Sequence, residues 1–202
     1  MAGKIKKTRP ELLKQRRDLA RYERFLPTLV LKKQQIQMEI LKIRSEARRL
    51  RREIDDHIRE IHSWVALFSE SVPGPITRLV AVKEIQAGER NVAGIVLPVL
   101  SHVEYEVKPY SLITTPPWVD AGISMVKRLL ELRETIKVTL EQERLLQLEL
   151  KKVTQRVNLF EKVMIPNARE NIRVIRIQLA EEETAAVGRA KIAKAKSGAE
   201  AE

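Results

Sequence analysis

Starting at Leu12 and stepping alternately by three and four, the chain meets Leu19, Leu26, Ile36, Ile40, Ile43, Leu50, Ile61 and Phe68, and fourteen of the 17 positions visited are apolar. The mean step of about 3.5 residues is the coiled-coil period, which holds one narrow apolar stripe against a partner and implies a left-handed supercoil. A helix with a single stripe cannot bury it alone. The partner is available within the chain. A second stripe runs through Leu129, Leu132, Ile136, Thr139, Glu143, Leu146, Leu150, Val153, Val157, Phe160 and Met164, and continues through Ala168, Ile172, Ile175 and Leu179. Each helix covers roughly 60 residues, or about 90 Å at 1.5 Å per residue. The simplest fold lays the two antiparallel, with facing residue numbers summing to about 190.

Local signals agree. Thr8 suits a helix cap with Glu11 three residues on, and Pro10 fits the first turn. Ser71-Val72-Pro73-Gly74-Pro75 stops the first helix, and Thr114-Thr115-Pro116-Pro117 precedes the second. Between them, Asn91–Leu100 and His102–Val107 are rich in β-branched residues, which predicts a short β-hairpin. The expected fold is therefore all-α: a long antiparallel two-helix coiled coil with a hairpin-containing middle. Its parts are an N-terminal helix at 1–70, the middle segment at 71–120, a C-terminal helix at 121–188, and a basic, Ala-rich flexible tail at 189–202. Pro27 and Pro166 interrupt the helical patterns and are expected to bend both helices at one level.

The net charge is +11, and aromatic residues are 4% of the chain, which suits a narrow seam better than a broad core. Residues 1–70 carry 18 Lys+Arg against 10 Asp+Glu, and residues 121–202 carry 16 against 12, so the excess lies toward the two ends of the chain. Such ends prefer acidic partners. With no cysteine, disulfides and thiolate metal sites are excluded. His57, His62 and His102 form no metal spacing; His57 falls on the stripe and is expected as a packed histidine. No phosphate-cradling loop, dinucleotide fingerprint or nucleophile elbow occurs. No apolar run approaches the roughly 20 residues that span a bilayer. Arg48-Arg49-Leu50-Arg51-Arg52 is flanked by Glu46, Glu53, Asp55 and Asp56, which would pair with it along the helix. Glu181-Glu182-Glu183 is expected as a solvated face. The residues thus describe a rigid helical hairpin that makes no bonds, with no cofactor.

Thr154, Gln155, Val157, Asn158 and Glu161, then Ile165-Pro166, resemble the signature near the C-terminal helix of the D subunit of V/A-type ATPases and ATP synthases. The opening Thr8, Pro10, Leu12 and Leu13, with Arg16-Arg17, is similar to that family's first helix, and Asn91-Val92-Ala93-Gly94 with Leu97-Pro98 to its middle. Leu29–Lys33 and Ala185–Gly188 depart from the pattern. The resemblance implies a central rotor shaft, not itself an enzyme, which couples ATP hydrolysis or synthesis to rotation of a membrane ring that moves protons or sodium ions. It implies as partners the hexamer of A and B subunits, the F subunit on the shaft's side, and the funnel-shaped component called C or d. It implies a peripheral place on the cytoplasmic face, with membrane contact only through the complex, in a bacterial or archaeal cell. In that frame Lys6, Lys7, Arg9, Arg16, Arg17, Arg21, Arg24, Arg169, Arg173, Arg176, Lys191 and Lys194 would line the hexamer bore. The competing readings are a free-standing coiled-coil scaffold and a basic hairpin that binds nucleic acid. The first reading expects no nucleic acid.

Overall fold

A computed structural model describes residues 6–68, 79–110, 116 and 118–199. The stop at Ser71–Pro75 and the start signals Thr114, Thr115 and Pro117 lie outside the described residues. The elements in order are α1 (Arg9–Phe68), β1 (Val80–Val92), β2 (Ile95–Val107), α2 (Trp118–Leu159), a π-helical turn (Phe160–Met164) and α3 (Ile165–Ala199). The predicted pair of long helices is present, and the predicted hairpin stands between them in sequence. The helix also runs on through 189–199, the stretch expected as a loose tail.

The chain packs as two units, residues 1–32 with 152–202 and residues 33–151. In the first unit α1 and α3 run antiparallel. Lys7 Nζ donates to Gln178 at 2.9 Å, Arg9 reaches Glu183 at 2.7 Å, and Arg169 reaches Glu23 at 2.8 Å. Tyr22 meets Phe160 edge to face, with ring centroids 5.3 Å apart. Ile165, Ala168, Ile172 and Ile175 are buried there. Ile165, not Met164, takes the inner position, which corrects the predicted stripe by one residue.

Pro27 lies inside α1, which continues through it. A proline there removes one N–H from the helical ladder; next to it the Thr28 hydroxyl donates to the Phe25 carbonyl at 2.7 Å. Pro166 is the second residue of α3, directly after the π turn. Phe160 and Arg169 bracket it, and their partners Tyr22 and Glu23 precede Pro27 by five and four residues.

The second unit holds α1 and α2 antiparallel as well, tied by Arg44–Glu143 at 2.7 Å and Arg128–Glu53 at 2.5 Å. Its seam buries Ile36, Ile40, Ile43, Ala47, Leu50, Leu132 and Leu146. The two polar positions of the α2 stripe are accounted for. Thr139 is buried, and its hydroxyl donates to the Thr135 carbonyl at 2.8 Å. Glu143, with its side chain 17% exposed, accepts from Arg44.

The hairpin packs against both helices of this unit. Its strands have 13 residues each, longer than the sequence suggested. Ala93 and Gly94 have φ of 52° and 79°, the positive values that a two-residue hairpin turn of the primed kind requires. The Asn91 side chain accepts from the Gly94 N–H at 2.9 Å. At the base, Val80, Val119 and Ile123 form a small core, with Tyr105, Val107, Trp118 and Val126 packed on it. Toward the tip the ties are polar: Arg90 pairs with Glu39 at 2.7 Å, and Gln142 donates to the Pro98 carbonyl at 2.5 Å. Pro98 sits in β2 without penalty because a two-stranded sheet has only edge strands.

The Tyr105 hydroxyl is buried with no hydrogen-bond partner among the described residues. Burial first, and then the Glu131 carboxylate, push its pKa above 10.0. A raised folded-state pKa means the neutral phenol favours folding below the ordinary value, and that contribution is lost as pH rises through the folded value. An unpartnered buried hydroxyl costs about 1–3 kcal/mol. Tyr105→Phe is therefore expected to hold or raise the thermal midpoint at neutral pH and to remove one high-pH step from the ultraviolet titration of tyrosine. A midpoint several degrees lower would show that the hydroxyl has a partner.

Candidate interaction surface

The unit formed by residues 1–32 and 152–202 carries 20 Lys+Arg against 10 Asp+Glu, whereas residues 33–151 carry 18 against 17. Nearly all of the net charge of +11 therefore belongs to one unit. All twelve basic residues singled out from the sequence, from Lys6 to Lys194, fall in that unit, and all twelve are exposed. The heptad pattern explains why. With the stripe facing the partner helix, Arg16, Arg17, Arg21 and Arg24 occupy the remaining positions of α1, and Arg169, Arg173 and Arg176 those of α3.

Some of this charge is engaged. Arg9 and Arg169 tie the two helices together through Glu183 and Glu23. Arg173 grips Glu170 on its own helix through two hydrogen bonds of 2.8 and 2.6 Å. That hydrogen bonding holds the Glu170 carboxyl below the usual range and raises the Arg173 guanidinium. Arg16, Arg17, Arg21, Arg24, Arg176 and Lys191 form no ion pair among the described residues. Long cationic side chains on an exposed face with no local acid create a field that a partner can feel at a distance. Lys14, Arg156, Lys162 and Arg189 are also exposed in this unit and were not foreseen. The signal that finds them is the pairing of the first 32 residues with the last 51, which no count over sequence thirds reveals.

The signature residues divide by burial. Val157 and Ile165 are core residues, whereas Gln155, Asn158, Glu161 and Pro166 are exposed and Thr154 is half-buried. Near the start, the Thr8 carbonyl accepts the Leu12 N–H, 3.0 Å away, as the first backbone bond of α1. Pro10 and Leu13 are exposed, and Leu12 is half-buried. Elsewhere, His57 is half-buried beside Glu60, 3.5 Å away, while His62 and His102 are exposed. In the arginine cluster, Leu50 is buried and Arg49 pairs with Glu46 at 2.5 Å. Among the described residues, no three of His, Cys, Asp or Glu gather as they would around a metal ion, and no helix is long and apolar enough to cross a membrane.

The family model for the ATP synthase D subunit matches residues 11–195. The chain belongs to the ATP synthase D subunit family. Thr8 and Pro10 precede the matched span; the Thr154–Pro166 signature lies inside it. A V-type ATP synthase D subunit from Borreliella burgdorferi is 42% identical over 192 residues, covering 95% of this chain and 94% of that one. Proteins of the same description from Chlamydia abortus and Chlamydia felis are 32% and 30% identical over 199 residues, each covering 97% of this chain and 95% of theirs. The family that the signature suggested is thus the one to which the whole chain aligns. The matches cover nearly the full length of this chain and of these bacterial relatives.

Proposed function

We propose that this chain is the central rotor shaft of a V-type ATP synthase or ATPase. It makes no bonds itself. The A and B subunits hydrolyse or form ATP, the shaft turns within their hexamer, and the turning is passed through the funnel-shaped component, called C or d, to a membrane ring that moves protons or sodium ions. The F subunit binds along its side. The complex sits on the cytoplasmic face, and the chain meets the membrane only through it.

The observation that carries this reading is the match of the full chain to the D subunit family, laid on an antiparallel helix pair whose charge is gathered in one unit. An apolar seam stiffens such a part along its length. Exposed, mostly unpaired cations suit a bore that must be held without interlocking, because long-range attraction tolerates sliding. Pro27 and Pro166 give this unit an asymmetry that three identical A–B pairs would meet in turn.

The test is reconstitution. Purified chain is mixed with the A, B and F subunits, and the complex is isolated by size-exclusion chromatography and assayed for ATP hydrolysis. The expected result is one complex containing all four proteins, with the chain present once per hexamer. A chain that stays out of the complex and instead retains RNA or DNA at physiological salt would overturn the reading in favour of a nucleic-acid-binding hairpin.

A further inference from the structure

The inner stripe of the C-terminal helical region miscounts by one. One row runs Leu150, Val157, Ile165, Ile172 and Leu179, in steps of 7, 8, 7 and 7; its companion runs Leu146, Val153, Phe160, Ala168 and Ile175, in steps of 7, 7, 8 and 7. Every member of both rows is buried or half-buried. Both eight-residue steps enclose residues 160–164, the π turn. On the facing stretch of α1, Leu12, Leu19 and Leu26, with Gln15, Tyr22 and Leu29, keep a step of seven throughout. One residue is therefore surplus, and on one helix only.

An α-helix cannot absorb a surplus residue silently. At 3.6 residues per turn, one extra residue swings everything after it by roughly 100°, which would carry Ile165, Ala168 and Ile172 off the seam. A turn closed from i to i+5 stores the residue and leaves the stripe in phase. Here the Ile165 N–H donates to the Phe160 carbonyl, five residues back. Glu161, Lys162 and Val163 are all exposed, so the stored residue sits on the solvent side. The turn is bounded on both sides. Phe160 is packed on Tyr22. To slide one residue toward the C-terminus, the turn would need a hydrogen bond from the N–H of Pro166 to the Glu161 carbonyl, and proline has no N–H.

We infer that the π turn at Phe160–Met164 is a torsional hinge: an inserted residue, held in place by Pro166, about which the helix twists while the stripes on either side stay seated. The hinge belongs to the chain itself and does not depend on which partner grips it.

Hydrogen exchange on the full-length chain tests this, with two variants: deletion of Val163, and Pro166→Ala. In the natural chain, amides over 158–167 should exchange about tenfold or more faster than those over 168–178, because wide turns open locally. Deleting Val163 restores steps of seven, so exchange over that segment should slow to the level of its neighbour while the thermal midpoint holds or rises. Pro166→Ala should keep a fast segment, since the surplus residue remains, but let it spread toward the C-terminus, since residue 166 now has an N–H and the turn can slide. The inference is overturned by uniformly slow exchange in the natural chain, or by fast exchange that survives the deletion. It is equally overturned by a midpoint about 10 °C lower in the deletion variant, or by loss of the fast segment in Pro166→Ala, which would make the proline and not the count its cause.

Discussion

Changing Arg16, Arg17, Arg21, Arg24, Arg176 and Lys191 together to glutamine is expected to weaken binding of the chain to an A–B hexamer about a hundredfold at low salt. These are among the basic side chains of the charged unit that make no ion pair among the described residues, so their field is not spent within the chain. At about 0.5 kcal/mol for each exposed charge, six contribute roughly 3 kcal/mol, and 1.4 kcal/mol is a factor of about ten. The salt dependence should flatten with the affinity, because the lost part is the screened part. The fold should be untouched, since all six are exposed and glutamine is a good helix former. Changing four exposed arginines of the other unit, Arg48, Arg51, Arg52 and Arg133, to glutamine should alter hexamer affinity by no more than a few-fold. Binding titrations at two salt concentrations decide it. An unchanged affinity with an unchanged salt slope would leave the charge as a solubility feature only.

The largest effect on stability is expected at Leu146. This side chain is fully enclosed on α2, in a seam only two rows wide on each helix. Truncating an enclosed leucine removes its transfer free energy and leaves a cavity, together about 3–4 kcal/mol. A narrow seam has no second layer to collapse into the space. Against a total stability of about 5–15 kcal/mol, Leu146→Ala should lower the thermal midpoint by about 10 °C. Leu148→Ala, two residues on and 47% exposed, should cost less than about 1 kcal/mol. Denaturant melts of the two variants with equal losses would show that the seam is not what holds the helices together.

What was legible in the sequence follows from how each element is stabilised. The stripe of α1 was readable because a coiled-coil seam repeats every seven residues and admits few alternatives. The hairpin was legible from its β-branched residues but its turn was not: Asn91–Leu100 and His102–Val107 largely merge into the single strand β2, and the chain reverses at Ala93-Gly94. Strand β1 was missed over most of its length. Lys83, Glu84, Gln86, Glu89 and Arg90 give it a largely polar face, and its inward residues include Val80 at the base, far from the β-branched run of β2. The π turn was missed for a different reason. A search that allows only steps of three and four must land on Met164, and nothing local marks Ile165 as the buried neighbour until Ala168, Ile172 and Ile175 are placed with it. For the interaction surface, the basic residues were legible one by one. Their concentration in a single unit was not, because it depends on which distant segments pair.

The hairpin's register carries a rule about length. Its partners slip at Lys83 on β1 and again at Ser101 on β2, one unmatched residue on each strand, so the pairing that begins with Val80 opposite Val107 is restored by the time Val92 faces Ile95. The two slips are complementary, like one stitch dropped on each of two needles. Removing Lys83 alone would close the bulge and leave Val82 opposite Tyr105 and Val80 opposite Val107, so Val80 would keep its place beside Val119 and Ile123. Removing Ser101 alone would do the same on β2, since neither residue has a partner across the ladder. At these two positions single residues can therefore be lost one at a time, whereas a single residue lost from a paired position would throw the side chains beyond it onto the other face unless a new bulge stored the mismatch.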